Sequence, residues 1–358
     1  MLLDLLFVLL LFIALFKIKL TMPLKNFNDE FMSVKNCNSY KGLFALVVLL
    51  HHISQRVSGG IITPDFTRVG YLAVSVFLFL SGYGLEKQNL KKSDYSNGFL
   101  LKRVPAVLIP YIIMSVIYWV IYALLGDVRT FSTVWHNFIV NGDPIAWFSW
   151  YVVCILYFYI AFYILMKIFK TSKVGIIFGG IIFCVLYIFI CKKLGFGLWW
   201  YQTSPIFVLG IAFSSYEKNI LKFIKKFYPV VLMLSLAFFV VTARHKWEIY
   251  DLVPSPETEF LIVLILAFLF IVSFVALTLK LETNNKILAF LGKISFELYM
   301  VQGAIMLVLR NELLYVNNDT LWAFLVLIGS VGFALLLNKF FSLILKKYSY
   351  CVAKLYNN

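Results

Sequence analysis

Two of the chain's four histidines are adjacent, His51-His52, at the end of the apolar run that begins Tyr40-Lys41-Gly42. On a helix, Lys41 and His52 are eleven residues apart, so they share nearly one face about 16 Å apart along the axis. His51 points about a quarter-turn away. Among apolar neighbours desolvation keeps an imidazole neutral, and a neutral ring can take a proton from a hydroxyl. The alternative is structural: an interfacial lysine with its ammonium reaching water, and two histidines bonded to neighbouring helices. A second segment, Val76-Phe77-Leu78-Phe79-Leu80-Ser81-Gly82-Tyr83-Gly84, puts small residues among aromatics. That pattern serves close helix packing in a bilayer. A third, Lys102-Arg103, precedes Pro105 and Pro110, which predict a kinked or irregular helix start. Beside a thioester cofactor such a basic pair would clamp phosphate; otherwise it sets topology.

The elements that must carry these residues are membrane helices. Of 358 residues 62% are hydrophobic and 14% charged, and mean hydropathy is +0.90. Soluble domains hold about 45–50% apolar and about 25% charged residues. A water-soluble enzyme, a disordered chain and a disulfide scaffold are thereby excluded. At roughly 20 apolar residues per span, the length accommodates about ten or eleven spans. Apolar stretches fall at 1–18, 42–56, 69–85, 104–125, 146–168, 174–191, 198–215, 228–243, 260–281, 287–309 and 320–345. The first is short, follows Asp4 and precedes Lys17 and Lys19, which predicts an anchor over 1–20 with its N-terminus outside.

Basic residues in alternate loops divide 22 to 8. The larger set, including Lys19 to Lys41, Lys87 to Arg103 and Lys218 to Lys226, is therefore cytoplasmic. The net charge of +15 reflects this bias, and no RNA-binding or zinc spacing accompanies it, so nucleic acid is not an expected partner. Five scattered cysteines (Cys37, Cys154, Cys184, Cys191, Cys351) imply neither a metal site nor a disulfide framework. In this topology all eight tryptophans fall in the outer half or the outer loops. An aromatic belt would decorate both interfaces, so Trp147, Trp150, Trp199 and Trp200 are candidates to stack on sugar rings outside. Glu297, ten residues into a helix that starts inside, falls at a depth where it could orient His52; pairing with another polar group is the alternative.

Together these segments resemble the membrane-bound acyltransferase family 3, which O-acylates cell-surface glycans. Lys41 to His52 looks like its helix with a basic residue, ten intervening residues and a histidine. Phe77 to Tyr83, Arg103 to Pro110, Trp147-Phe148-Ser149-Trp150-Tyr151, Phe207-Val208-Leu209-Gly210 and Ser295-Phe296-Glu297-Leu298-Tyr299-Met300 are similar to its other segments. The resemblance covers about residues 38–345. The chain departs at Ala106, where relatives often carry a second arginine, and at Gln302, where they often carry histidine.

The resemblance implies an all-α, polytopic helical bundle of about ten core transmembrane helices plus one N-terminal helix, a single domain over 1–358 without a soluble extracytoplasmic domain. It implies transfer of an acetyl or other short acyl group from cytosolic acetyl-CoA, with no metal, to a glycan or lipid-linked saccharide on the outer side of the plasma membrane. Lys41, Lys102 and Arg103 would hold the CoA phosphates, Ser81 and Gly82 would flank the pantetheine arm, and His52, at about mid-membrane, would be the base, helped by Glu297. The rival is a flippase or exporter of a lipid-linked saccharide, against which the absence of internal repeats argues. A non-catalytic sensor on the same scaffold is a third reading.

Overall fold

Each of the eleven apolar stretches contains helix in the computed structural model, which describes residues 2–20 and 26–356. Lys25, one of the inner cations in the basic count, lies outside the described residues. The helices are α1 (Leu2–Leu15), α2 (Val34–Ser54), α3 (Gly70–Lys91), α4 (Phe99–Leu124), α5 (Phe131–Asn141), α6 (Trp150–Phe169), α7 (Lys173–Lys193) and α8 (Pro205–Ser215). They continue with α9 (Glu217–Lys226), α10 (Tyr228–Arg244), α11 (Lys246–Leu252), α12 (Pro256–Thr278), α13 (Lys286–Lys293), α14 (Ser295–Leu309) and α15 (Asp319–Tyr356). Two three-residue strands, β1 (Ile18–Leu20) and β2 (Leu281–Thr283), pair antiparallel.

Five helices, α4, α6, α7, α12 and α15, are long and apolar enough to cross a bilayer, and up to seven spans result if each bent pair counts as one. The expected ten plus one is not reached on that measure. α1 has only 14 residues and α8 only 11, because 198–204 is spent on a short 3-10 turn and tight turns. The stretch at 287–309 breaks between α13 and α14 with a 75° bend, and α9 meets α10 at 92°. The two ends of α1 are held by different partners. Asp4 accepts from the backbone of Ile61 and Ile62, while the strand that follows α1, β1, pairs with β2.

Polar residues decide which helices stand inside. α2 and α3 carry too many to face lipid, and most of their residues are buried. Glu86 of α3 is fully buried and accepts from Ser215 at 3.0 Å and Asn89 at 3.3 Å. Around them α7 and α10 expose Phe178, Ile182, Val185, Phe189, Met233 and Phe238, as lipid-facing helices do. The protein is a multi-pass membrane helical bundle.

Glycines let the inner helices touch. A Cβ on Gly82 would lie 2.1 Å from Phe207 O, and one on Gly210 2.2 Å from Phe79 O, so α3 and α8 cross backbone to backbone. Gly42 and Gly292 do the same for α2 and α13, with Leu288 O and Asn38 O at 1.9 and 1.8 Å. α4 corrects one expectation: it starts five residues before the basic segment's Val104 and runs as helix through Pro105 and Pro110. Its first residue, Phe99, is buried against Tyr159, Phe162 and Tyr163, which pins the first turn ahead of the prolines.

Candidate active site

α2 begins at an N-cap, Ser33 accepting from Asn36 N, and its last turn delivers His51 and His52 to a cavity of about 1000 Å³. His52 stands two residues before the helix ends. The cavity is also lined by Trp147, Phe148, Trp150, Trp199 and Tyr299.

The imidazole of His52 is buried and stacked on Phe148, centroids 3.6 Å apart and planes 14° from parallel. Phe148 has φ +66°, a left-handed conformation that costs a non-glycine residue on the order of 1–3 kcal/mol. Its carbonyl is gripped by the Tyr299 hydroxyl, which holds that turn in place.

Hydrogen bonds set the protonation pattern of the histidine pair. Phe66 O can only accept, so His51 Nδ1, 2.9 Å away, carries a proton. The neutral ring's other nitrogen, Nε2, is then a lone pair, which accepts from Gln55 Nε2 at 3.2 Å. This turns the Gln55 carbonyl towards His52, whose Nδ1–H donates to Oε1 at 3.5 Å. His52 Nε2 is left as the lone pair. A backbone carbonyl thus selects, through two side chains, the tautomer able to take a proton.

Glu297 has no part in this chain: its carboxylate accepts from Asn338 Nδ2 at 3.0 Å. The bend before Ser295 starts α14 close to where Gly292 meets Asn38, towards the Lys41 end of α2. Gln55 orients His52 instead. Gln55 and Arg56 stand three and four residues beyond His52 on its face, a spacing legible in the sequence.

Of the four tryptophans, Trp147, Trp150 and Trp199 line the cavity. Trp147 Nε1 donates to Tyr122 at 2.7 Å, and the Arg56 guanidinium lies 4.2 Å from its ring centroid. Trp200 is a correction. It is buried, donates to Gly142 O at 3.1 Å and packs on Phe138 and Phe196, so it supports the wall from behind.

Towards the other end of α2, Lys41 and Arg103 stand within electrostatic reach of one another, with Cys37 beside Lys41. Arg103 also donates to the Tyr95 hydroxyl at 3.1 Å. Lys102 is exposed and makes no side-chain hydrogen bond or ion pair among the described residues. Ser81 is half-buried and its hydroxyl meets Tyr151, whose ring packs edge-on to Tyr299. Ser81 and Tyr151 thus lie one ring from Tyr299, whose hydroxyl holds the Phe148 carbonyl behind the ring stacked on His52. Gly82 is a second correction: the backbone crossing with α8 fills the space beside it, leaving no groove for a ligand. Among the described residues no cluster of three or more His, Cys, Asp or Glu could hold a metal.

Known proteins resemble this chain over much of its length. Probable poly-beta-1,6-N-acetyl-D-glucosamine export proteins of Staphylococcus aureus strains MSSA476 and MW2 are 25% identical over 251 residues, 62% of this chain and 70% of theirs. That of strain MRSA252 is 24% identical over the same length. No solved structure matches. The acyltransferase domain profile matches residues 37–339, from the foot of α2 into α15 and over both ends of the Lys41–His52 helix. The chain belongs to acyltransferase family 3.

Proposed function

We propose that the protein is an integral-membrane O-acyltransferase. It would move an acetyl or other short acyl group from cytosolic acyl-CoA to a hydroxyl of a cell-surface polysaccharide or its lipid-linked precursor. The observation that carries the reading is the buried His52, its Nε2 lone pair selected through Gln55, in a tryptophan-walled cavity. In this mechanism Nε2 takes the acceptor's hydroxyl proton as the oxygen attacks the thioester carbonyl. The C–S bond then breaks, and the imidazolium returns the proton to the CoA thiolate. General-base help of this kind is worth about 10²–10⁴-fold.

The donor's phosphates would sit near Lys41 and Arg103, with Lys102 close by in sequence. Its pantetheine arm would pass Ser81 and Tyr151 on the way outward, over the roughly 16 Å that eleven residues of α2 span. Flanking Gly82 is no longer part of this path.

The relatives, named as probable export proteins, favour a second reading, export of a saccharide without chemistry. Mass spectrometry of the surface glycan, from cells with the wild-type protein and with His52→Ala, separates the two. Acyl transfer predicts loss of O-acyl groups with polymer still reaching the surface. Unchanged acylation with polymer retained inside would favour export.

A further inference from the structure

The charge around the His52 cavity carries information about the acceptor. Arg56, Arg68 and Arg244 line it from three different elements: the residue after the α2 cap, the end of a short 3-10 turn (Thr63–Arg68), and the last residue of α10. None of the three has a carboxylate partner among the described residues. The other charged lining residues do not offset them. Lys246 and Glu259 face each other at 3.5 Å, and Asp143 shares its field with Arg129 outside the cavity.

This concentration runs against the chain's own bias. Only 8 of the 32 Lys and Arg residues fall in outer loops, and four of those eight line this one cavity. A neutral saccharide entering here would strip water from guanidinium groups and give them no counter-charge, which costs affinity. A phosphate or carboxylate would offer paired acceptors matched to the guanidinium fork. Arg56 follows the cap of α2, four residues beyond His52, and its guanidinium lies over the ring of Trp147 in the same cavity wall. An anionic group held there leaves the same or the adjacent sugar's hydroxyl within reach of Nε2.

We infer that the acceptor is an anionic saccharide whose phosphate or carboxylate is held by Arg56, Arg68 and Arg244 while a neighbouring hydroxyl meets His52. The inference rests on the acyl-transfer reading for the hydroxyl, and on the cavity's charge for the anion. Two sources share the chemistry: the diphosphate of a lipid-linked sugar, and an acidic sugar within a polymer.

The test uses the full chain in phosphatidylcholine nanodiscs, titrated calorimetrically with inorganic pyrophosphate, a glucuronate-containing disaccharide and a neutral N-acetylglucosamine disaccharide. Acetyl-CoA binding and consumption are followed on the same samples. The anionic probes should bind more tightly than the neutral one, with affinity falling as salt rises. Arg68→Gln and Arg244→Gln should each weaken them about tenfold, the scale of one charge-assisted bond, and Arg68→Lys should lose less. Preference for pyrophosphate points to the lipid diphosphate, and preference for glucuronate to the acidic polymer. Acetyl-CoA turnover with a neutral-acceptor preference, unmoved by the arginine changes, would overturn the inference and leave acyl transfer standing. Anion binding that depends on these arginines, without any binding or consumption of acetyl-CoA, would support the anion site and overturn acyl transfer.

Discussion

At the scale of single residues, the account turns on which nitrogen of His52 is free. Gln55→Leu keeps volume but removes both the acceptor for His52 Nδ1–H and the donor for His51 Nε2. We expect kcat to fall about tenfold, a fraction of the full general-base contribution, with KM for acyl-CoA nearly unchanged. Steady-state kinetics in nanodiscs checks this, and an unaltered kcat would remove Gln55 from the machinery. Lys41→Ala and Arg103→Ala should do the reverse, raising KM for acyl-CoA with kcat largely kept. Contacts to the donor's phosphates act equally in ground and transition states. Much of this site was legible from the chain, because Lys41 and His52 are rare polar types in an apolar run and one helical face joins them. Glu297, Gly82 and Trp200 were misassigned for a common reason. Spacing along one helix gives height and phase but says nothing of the neighbour on that face, and the neighbours are Asn338, Phe207 and Gly142.

At the scale of elements, the close crossings are the part most sensitive to one atom group. Gly292→Val would bring a Cβ to 1.8 Å from Asn38 O, backbone that cannot swing aside. It should destabilise the protein by more than about 3 kcal/mol, measured as early thermal unfolding in detergent, since overpacking against rigid neighbours typically costs 1–3 kcal/mol or more. A thermal midpoint equal to wild type would mean that α2 and α13 do not meet at this glycine. Helix positions followed from apolar runs because hydropathy marks a span wherever lipid surrounds it. The breaks did not: Ile294 and Phe227 are apolar residues at bends of 75° and 92°, so the composition continues across them. α2 and α3 fail a hydropathy test because their polar residues are sheltered by other helices, a tertiary circumstance absent from any one segment.

At the scale of the whole molecule, the two ends of α2 must face different compartments for a cytosolic donor to meet an outer acceptor. With Cys351 replaced by serine, the probes Ser96→Cys in the α3–α4 loop and Val253→Cys before α12 test this. In intact cells a membrane-impermeant thiol reagent should label position 253 and spare position 96. The reverse would put the cavity inside and the Lys41–Arg103 pair outside. The central claim, acyl transfer dependent on His52, is tested most directly in proteoliposomes of known orientation. Isotopically labelled acetyl-CoA is supplied at the Lys41 end and acceptor saccharide at the cavity end, and labelled acyl-saccharide is measured by mass spectrometry. The account predicts label on the saccharide with wild-type protein and a drop of at least about 10²-fold with His52→Ala, with donor binding kept. Label transferred equally well by His52→Ala, or saccharide crossing the bilayer unlabelled, would contradict it.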